Sequence, residues 1–153
     1  MHFQRKQNRM PHFDYSSNGI YFVTICTENK KCILGDVINT DFVEGATVQL
    51  TETGRLVQNT IGRLPDAFPG INIHNYVVMP NHLHLLIELQ NAGTSLSSMM
   101  NYLKGYVTHR ATGRIWQKSF YDHVIRDEKD YQTIWQYIDN NPGKWSEDRY
   151  YTP

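Results

Sequence analysis

The ten residues PNHLHLLIEL, from Pro80 to Leu89, constrain the fold more than any other stretch of the chain. Side chains alternate faces along a strand, so Leu83, Leu85, Ile87 and Leu89 share one face while His82 and His84 share the other. A row of four branched aliphatic side chains needs a covering layer, which makes this strand one wall of a core. Pro80-Asn81 marks a turn before it, and INIHNYVVM (Ile71–Met79) reads as the antiparallel partner strand. Two imidazoles side by side on the second face can chelate one divalent ion. Two histidines on a half-solvated strand give the same spacing, and the spacing alone does not separate the readings.

The remaining elements follow from periodicity. Ile20–Thr27 (IYFVTICT) is rich in β-branched and aromatic residues and reads as a strand. Glu28–Gln49 holds several loop signals. Thr51 caps a predicted helix running to about Leu64, with Leu50, Val57, Ile61 and Leu64 at helical spacing, and Pro65–Gly70 ends it. A second helix starts at Ser95 and aligns Leu96, Met99, Met100, Leu103 and Val107. Gly113 closes that region, and a short strand lies within Ile115–Ile125. Asp127 with Asp130 forms a variant capping box for a last helix, whose apolar stripe is Tyr131, Ile134, Trp135 and Ile138. The order β-α-β-β-α-β plus a helix predicts an α+β, ferredoxin-like split βαβ domain: an antiparallel sheet with helices on one face. The C-terminal helix is then an addition, and the second sheet face is left free for a site.

A chain of 153 residues with 40% hydrophobic and 20% charged content fits one globular domain spanning 1–153. No apolar run approaches the roughly 20 residues of a membrane span, and no secretion signal is expected at the N-terminus. Cys26 and Cys32 form neither a disulfide framework nor a CxxC pair, so we expect reduced thiols and a cytoplasmic protein with no membrane partner. The net charge is zero but unevenly placed. Ser95–Arg126 carries five bases and one acid, and residues 1–12 form a basic arm with Arg5, Lys6 and Arg9. The candidate phosphate contacts are therefore Arg5, Lys6, Arg9, Lys104, Arg110, Arg114, Lys118 and Arg126. Tyr102, Tyr106, Phe120 and Tyr121 are interleaved with them as candidate stacking platforms. A solvated mixed surface accounts for the same charges nearly as well.

On the last helix, Tyr137 and Asn141 are four residues apart and share a face on the flank of the apolar stripe. Docking that helix at the sheet edge would bring both to the histidines, with Asn141 as a neutral oxygen ligand. By themselves these residues favour the plainer reading, in which Asn141-Pro142 stops the helix and Tyr137 is an interface aromatic.

The motifs as a set resemble a known family. HNYVVMPNHLHLLIEL, then WQKSFYDHVIRDEKDYQTIWQYIDNNPGKW, with FDYSSNGIYFVTICT near the start, is similar to the single-tyrosine HUH transposases, in particular the REP-associated tyrosine transposases. The likeness runs from about Phe13 to Trp145. It implies that His82 and His84 are the HUH pair around a bulky Leu83, that Tyr137 is the nucleophile, and that Asn141 completes a site for Mg²⁺ or Mn²⁺. Other branches carry Gln at that last position. The implied activity is cleavage and rejoining of single-stranded DNA next to a hairpin through a 5′-phosphotyrosine link. Monomer and homodimer both stay open. No general base for the phenol is obvious; His123 and Asp130 are candidates, but a structural role suits each of them better. Two other function classes fit less well. A non-catalytic nucleic-acid-binding module would be free to lose Tyr137 and the histidines. A water-activating hydrolase barrel with an HxH strand needs around 250 residues.

Overall fold

The structure is a computed structural model that describes residues 19–39, 46–90, 93, 95–111 and 113–153. The basic arm, with Arg5, Lys6 and Arg9, lies outside the described residues, as does the start of the FDYSSNG run. Strand β1 (Gly19–Cys26) is followed by a hairpin of β2 (Gly35–Asn39) and β3 (Ala46–Leu50), then helix α1 (Glu52–Ala67). Strands β4 (Ile71–Met79) and β5 (His82–Leu89) lead into α2 (Leu96–Arg110), β6 (Tyr121–Val124) and α3 (Glu128–Asn140). A 3₁₀ segment, Pro142–Glu147, carries the chain past α3. The main sheet runs β4-β5-β1-β6, with every described pairing antiparallel, which is the split βαβ order. Among the described residues no helix is long and apolar enough to cross a membrane.

The alternation on β5 organises two cores, one on each face. Leu83, Leu85, Ile87 and Leu89 are fully buried with Tyr21, Val23 and Ile25 of β1 against Val57 and Ile61 of α1 and Leu96, Met99, Leu103 and Val107 of α2. On the opposite face, Leu86 and Phe22 pack with Ile134 and Ile138 of α3. That face was expected to be free; α3 covers part of it. The reason is area: each α3 isoleucine that goes to zero exposure contributes roughly 1.5–3 kcal/mol, and the stripe has nowhere else to go. Polar contacts fix where α3 lies. Asp130 Oδ2 accepts from His123 Nε2 of β6 at 2.8 Å, and Asn75 Nδ2 of β4 donates to Asp139 Oδ1 at 3.0 Å. Between them, Tyr131 Oη donates to His74 Nδ1 at 2.6 Å, while His74 Nε2 donates to Glu88 Oε1 at 2.7 Å.

Each helix begins on its expected cap. Thr51, Ser95 and Asp127 accept from the backbone N–H three residues on, at 3.0, 3.1 and 2.7 Å. The capping box on α3 is not reciprocal in the usual way, because Asp130 reaches past Asp127 to the backbone N–H of Arg126 at 3.2 Å. Two sequence expectations change. Helix α1 continues through Pro65 to Ala67, since a proline in the last turn forfeits only one backbone hydrogen bond. The supposed loop Glu28–Gln49 contains the β2–β3 hairpin, a separate two-stranded sheet whose short strands alternate half-buried and exposed positions.

The hairpin region sits so close to α1 that one glycine is obligatory. A Cβ on Gly54 would fall on the carbonyl oxygen of Leu34, which already accepts from Thr51 N–H at 2.9 Å. Replacing a helical glycine by alanine ordinarily gains about 1 kcal/mol, whereas overpacking against fixed backbone costs about 1–3 kcal/mol. Gly54→Ala should therefore lower the melting temperature. Gly62→Ala, on the same helix with nothing within 4 Å of the added carbon, should raise it by about 2–4 °C. Thermal unfolding followed by circular dichroism distinguishes the signs; two shifts of the same sign would contradict the packing.

Candidate active site

The second face of β5 carries His82 and His84 inward, next to the C-terminal end of α3. They are 0% and 1% exposed, more deeply buried than a strand face left open would allow. Register explains the neighbours: Thr24 of β1 lies opposite His84 and Cys26 opposite His82. Thr24 Oγ1 shares a 2.8 Å hydrogen bond with His84 Nδ1, and the Phe22 ring stacks on His84 with centroids 5.1 Å apart. His84 Nε2 is buried and has no hydrogen-bond partner among the described residues.

Helix α3 brings both of its predicted residues here. The Tyr137 ring lies edge-on to His84 at 5.3 Å between centroids and to Phe22 at 6.0 Å. One turn on, Asn141 is buried and its Oδ1 stands 3.3 Å from His82 Nε2. Burial pushes the Tyr137 phenol up to about 12, the Asp148 carboxylate adds to the rise, and Asn141 and Arg149 pull against it.

The hydrogen bonds leave one contact in the site unresolved. Asn81, in the β4–β5 turn, donates through Nδ2 to the carbonyls of Tyr150 at 2.7 Å and Lys30 at 3.3 Å. Its Oδ1 is thus an acceptor, and it sits 2.8 Å from His82 Nδ1. Asn141 Nδ2 likewise donates, to Asp148 Oδ2 at 3.1 Å, which assigns Oδ1 as the atom facing His82. His82 therefore meets an oxygen lone pair at each nitrogen, and a neutral imidazole has one N–H. An imidazolium would satisfy both, but burial drives its pKa down to about 3. His84 is pushed well below its ordinary value as well, by burial and then by its neighbour. With the Nδ1–H of each ring donating outward, to Asn81 Oδ1 and Thr24 Oγ1, two nitrogen lone pairs and the Asn141 oxygen would face inward with no proton between them.

Such a donor set fits a divalent cation, with Asn81 and Thr24 fixing the outer nitrogens as outer partners of ligating imidazoles do. Among the described residues no three His, Cys, Asp or Glu side chains form such a group by themselves, so a third protein donor would have to be the Asn141 oxygen.

The chain beyond α3 supplies groups that periodicity did not point to. Tyr150 packs its ring 4.5 Å from His82, and Trp145 lies at 6.1 Å. Asp148, its side chain 2% exposed, has Oδ2 3.9 Å from His82 Nε2. A cleft of about 370 Å³ opens beside Tyr137, lined by Asn140, Asn141, Lys144, Glu147, Asp148 and Arg149 among others. Lys144 and Arg149 are its cations, and neither was in the sequence-derived pool.

The predicted phosphate contacts are dispersed. Lys104 Nζ donates to the carbonyls of Gln117 and Ser119 at 2.8 and 3.1 Å and so staples a loop. The Arg110 guanidinium stacks 3.4 Å from the centre of the Tyr106 ring on the α1–α2 layer. Arg114 pairs with Glu28 at 3.4 Å, and Lys118 and Arg126 are exposed in the loops flanking β6. Of the stacking candidates, Tyr102 and Tyr106 contact each other at 5.8 Å and Phe120 packs against the α1–α2 core. None of these residues lines the cleft beside Tyr137. His123 and Asp130, the candidate bases, are engaged with each other, and Asp130 lies two turns, about 10 Å, along α3 from Tyr137.

Stability should report the neutral histidines directly. An unfolded histidine takes up a proton near 6.5, whereas folded His82 does not until about 3. Between those values the unfolded state binds more protons, so stability falls as pH falls. The slope reaches at most about 1.4 kcal/mol per pH unit for each histidine. In EDTA, the wild type should lose melting temperature from pH 7 to pH 5 more steeply than His84→Gln. Equal slopes would mean that His84 is not held neutral.

The chain is similar to known proteins in sequence and in fold. A family model described as "Transposase IS200 like" matches residues 16–141. The chain is 36% identical to a Haemophilus influenzae protein of uncharacterized function, over 96% of this chain and 93% of that one. It is 30% identical to the REP-associated tyrosine transposase of Escherichia coli, over 85% of this chain and 70% of the relative. A solved REP-associated tyrosine transposase, bound to a REP hairpin, superposes with a TM-score of 0.65 at 26% identity, covering 90% of this chain and 74% of the other.

Proposed function

We infer the chemistry from one premise: the chain belongs to the IS200-like transposase family. We propose that it is a metal-dependent single-stranded DNA endonuclease and strand transferase, with Tyr137 as nucleophile and His82, His84 and Asn141 holding Mg²⁺ or Mn²⁺. The observation that carries the reading is the convergence of Tyr137 with two neutral, inward-facing imidazoles and an amide oxygen at one end of β5.

When bound, the cation supplies Lewis-acid polarisation of the scissile phosphate. The chain supplies the rest. Packing of Ile134 and Ile138 fixes α3, and through it the direction of the Tyr137 hydroxyl. Tyr137 Oη attacks phosphorus; the P–Oη bond forms, the P–O3′ bond breaks, and the 3′-oxygen leaves as a hydroxyl after taking a proton. The phenolic proton departs into the cleft. The phosphodiester energy is retained in the 5′-phosphotyrosine, so another 3′-hydroxyl can reverse the step and transfer the strand. Lys144 and Arg149 line the route to Tyr137 and suit a phosphate backbone. The hairpin held by the solved relative supports a DNA hairpin as the element beside which this chain cuts.

The test is a covalent adduct. Incubation with single-stranded hairpin oligonucleotides and Mn²⁺ should give a protein–DNA species whose modified peptide contains Tyr137, and Tyr137→Phe should give none. Tyr131→Phe should keep the adduct, since that hydroxyl is spent on His74, although losing the hydrogen bond should cost about 1 kcal/mol of stability. His82→Ala and His84→Ala should abolish cleavage while hairpin binding persists. Phosphotyrosine mapped to any other position, or wild-type cleavage by a histidine variant in EDTA, would refute the assignment.

A further inference from the structure

The 3₁₀ segment and the residues after it return to the site, and they lie beyond residues 16–141 that match the family. Asp148 is the carboxylate they deliver. Its Oδ1 accepts from the backbone N–H of Tyr150 at 2.8 Å, which fixes the plane of the group. Its Oδ2 accepts from Asn141 Nδ2 at 3.1 Å. The Asn141 amide has two ends of similar shape and opposite polarity, and this one bond decides which end faces His82. With Nδ2 held by the carboxylate, Oδ1 is the end presented to His82 Nε2 at 3.3 Å. In the reversed orientation an N–H would donate to the imidazole and occupy the lone pair that a cation needs.

We propose that Asp148 is a positioning residue of the cation site, holding the Asn141 oxygen toward His82 and supplying the site's negative charge from 3.9 Å. This rests on the metal reading above. Two imidazoles and an amide are neutral, whereas Mg²⁺ and Mn²⁺ favour oxygen donors and a nearby carboxylate. Ion affinity in this chain thus depends on a residue contributed by the segment after α3.

Isosteric substitution separates positioning from packing. In Asp148→Asn the oxygen remains with the Tyr150 N–H, and the new amide nitrogen confronts Asn141 Nδ2. Donor against donor forces Asn141 to turn, placing its N–H on His82. Exchanging the two groups, Asn141→Asp with Asp148→Asn, re-creates a donor–acceptor pair with its direction reversed, residue 148 now donating and residue 141 accepting, so that an oxygen again faces His82 at the same net charge.

The experiment is calorimetric titration of Mn²⁺ alone into the full-length wild type, the single variant and the exchanged double variant, with thermal unfolding in EDTA as a fold control. Asp148→Asn should bind Mn²⁺ about 10–100-fold more weakly. The double variant should recover most of that loss. Wild-type affinity in a folded Asp148→Asn overturns the inference and leaves the metal reading standing. A folded double variant that binds no better than the single one also overturns it. If the single variant does not fold, the double variant carries the test alone. Failure of the wild type itself to bind Mn²⁺ removes the metal reading and this inference together.

Discussion

Strand β5 is buried on both faces, and nearly everything else in the molecule is arranged around that. A strand with one covered face needs a single apolar row; here the second row, His82, His84 and Leu86, is also shut away from water. Leu86 anchors α3, and the histidines take the space at the end of that contact. Dry imidazoles stay neutral, so the burial that α3 and the C-terminal residues impose determines their protonation state. The same packing that stabilises the domain thereby prepares two lone pairs in a place where water does not compete for them.

Holding polar groups there requires outer partners, and these come from distant parts of the chain. Asn81 sits in a tight turn, yet its amide ties together residues 30, 82 and 150. Thr24 reaches across from β1, and Asp148 from beyond α3. Each is short and locked by its backbone setting, so little side-chain entropy is lost in fixing it. A site built from strand, turn and helix end is stiffer than one carried on a single loop. In the proposed chemistry Tyr137 needs that stiffness, because in-line attack tolerates little error in direction.

How far these features can be read from sequence depends on whether they are periodic. The histidine pair, its opposing leucines and the strand order follow from a repeat of two on β5 and from turn residues around it. The nearness of Tyr137 and Asn141 follows from the i, i+4 spacing on α3, although only the family likeness gave that pair a role. The β2–β3 hairpin escaped notice because its five-residue strands are half exposed and carry no continuous apolar row. Helix α3 was placed at the sheet edge, and its coverage of the face was not foreseen, since pattern shows that a stripe must be buried but not where. Asp148, Lys144, Arg149 and Tyr150 lie in or just after a 3₁₀ segment. No repeat marks them, and they reach the site through contacts such as the Asn81–Tyr150 hydrogen bond, 69 residues apart in sequence.

Asp148 also exposes a tension in the design of the site. Its charge steadies the amide that faces His82, yet the same charge adds to the rise in the Tyr137 pKa. Raised that far, the phenol stays protonated at neutral pH, so the proposed nucleophile has to be activated. Burial makes the larger contribution to that rise, and in the proposed complex a strand lying over Tyr137 would not relieve it. The contribution that binding alters is electrostatic. A positive charge taken up between the imidazoles and Asp148 would offset the carboxylate as the phenol sees it, while Arg149 already pulls the other way. On the proposed chemistry, a free protein with a protonated tyrosine and a loaded one with an activated tyrosine would differ by the balance of charge around a single carboxylate.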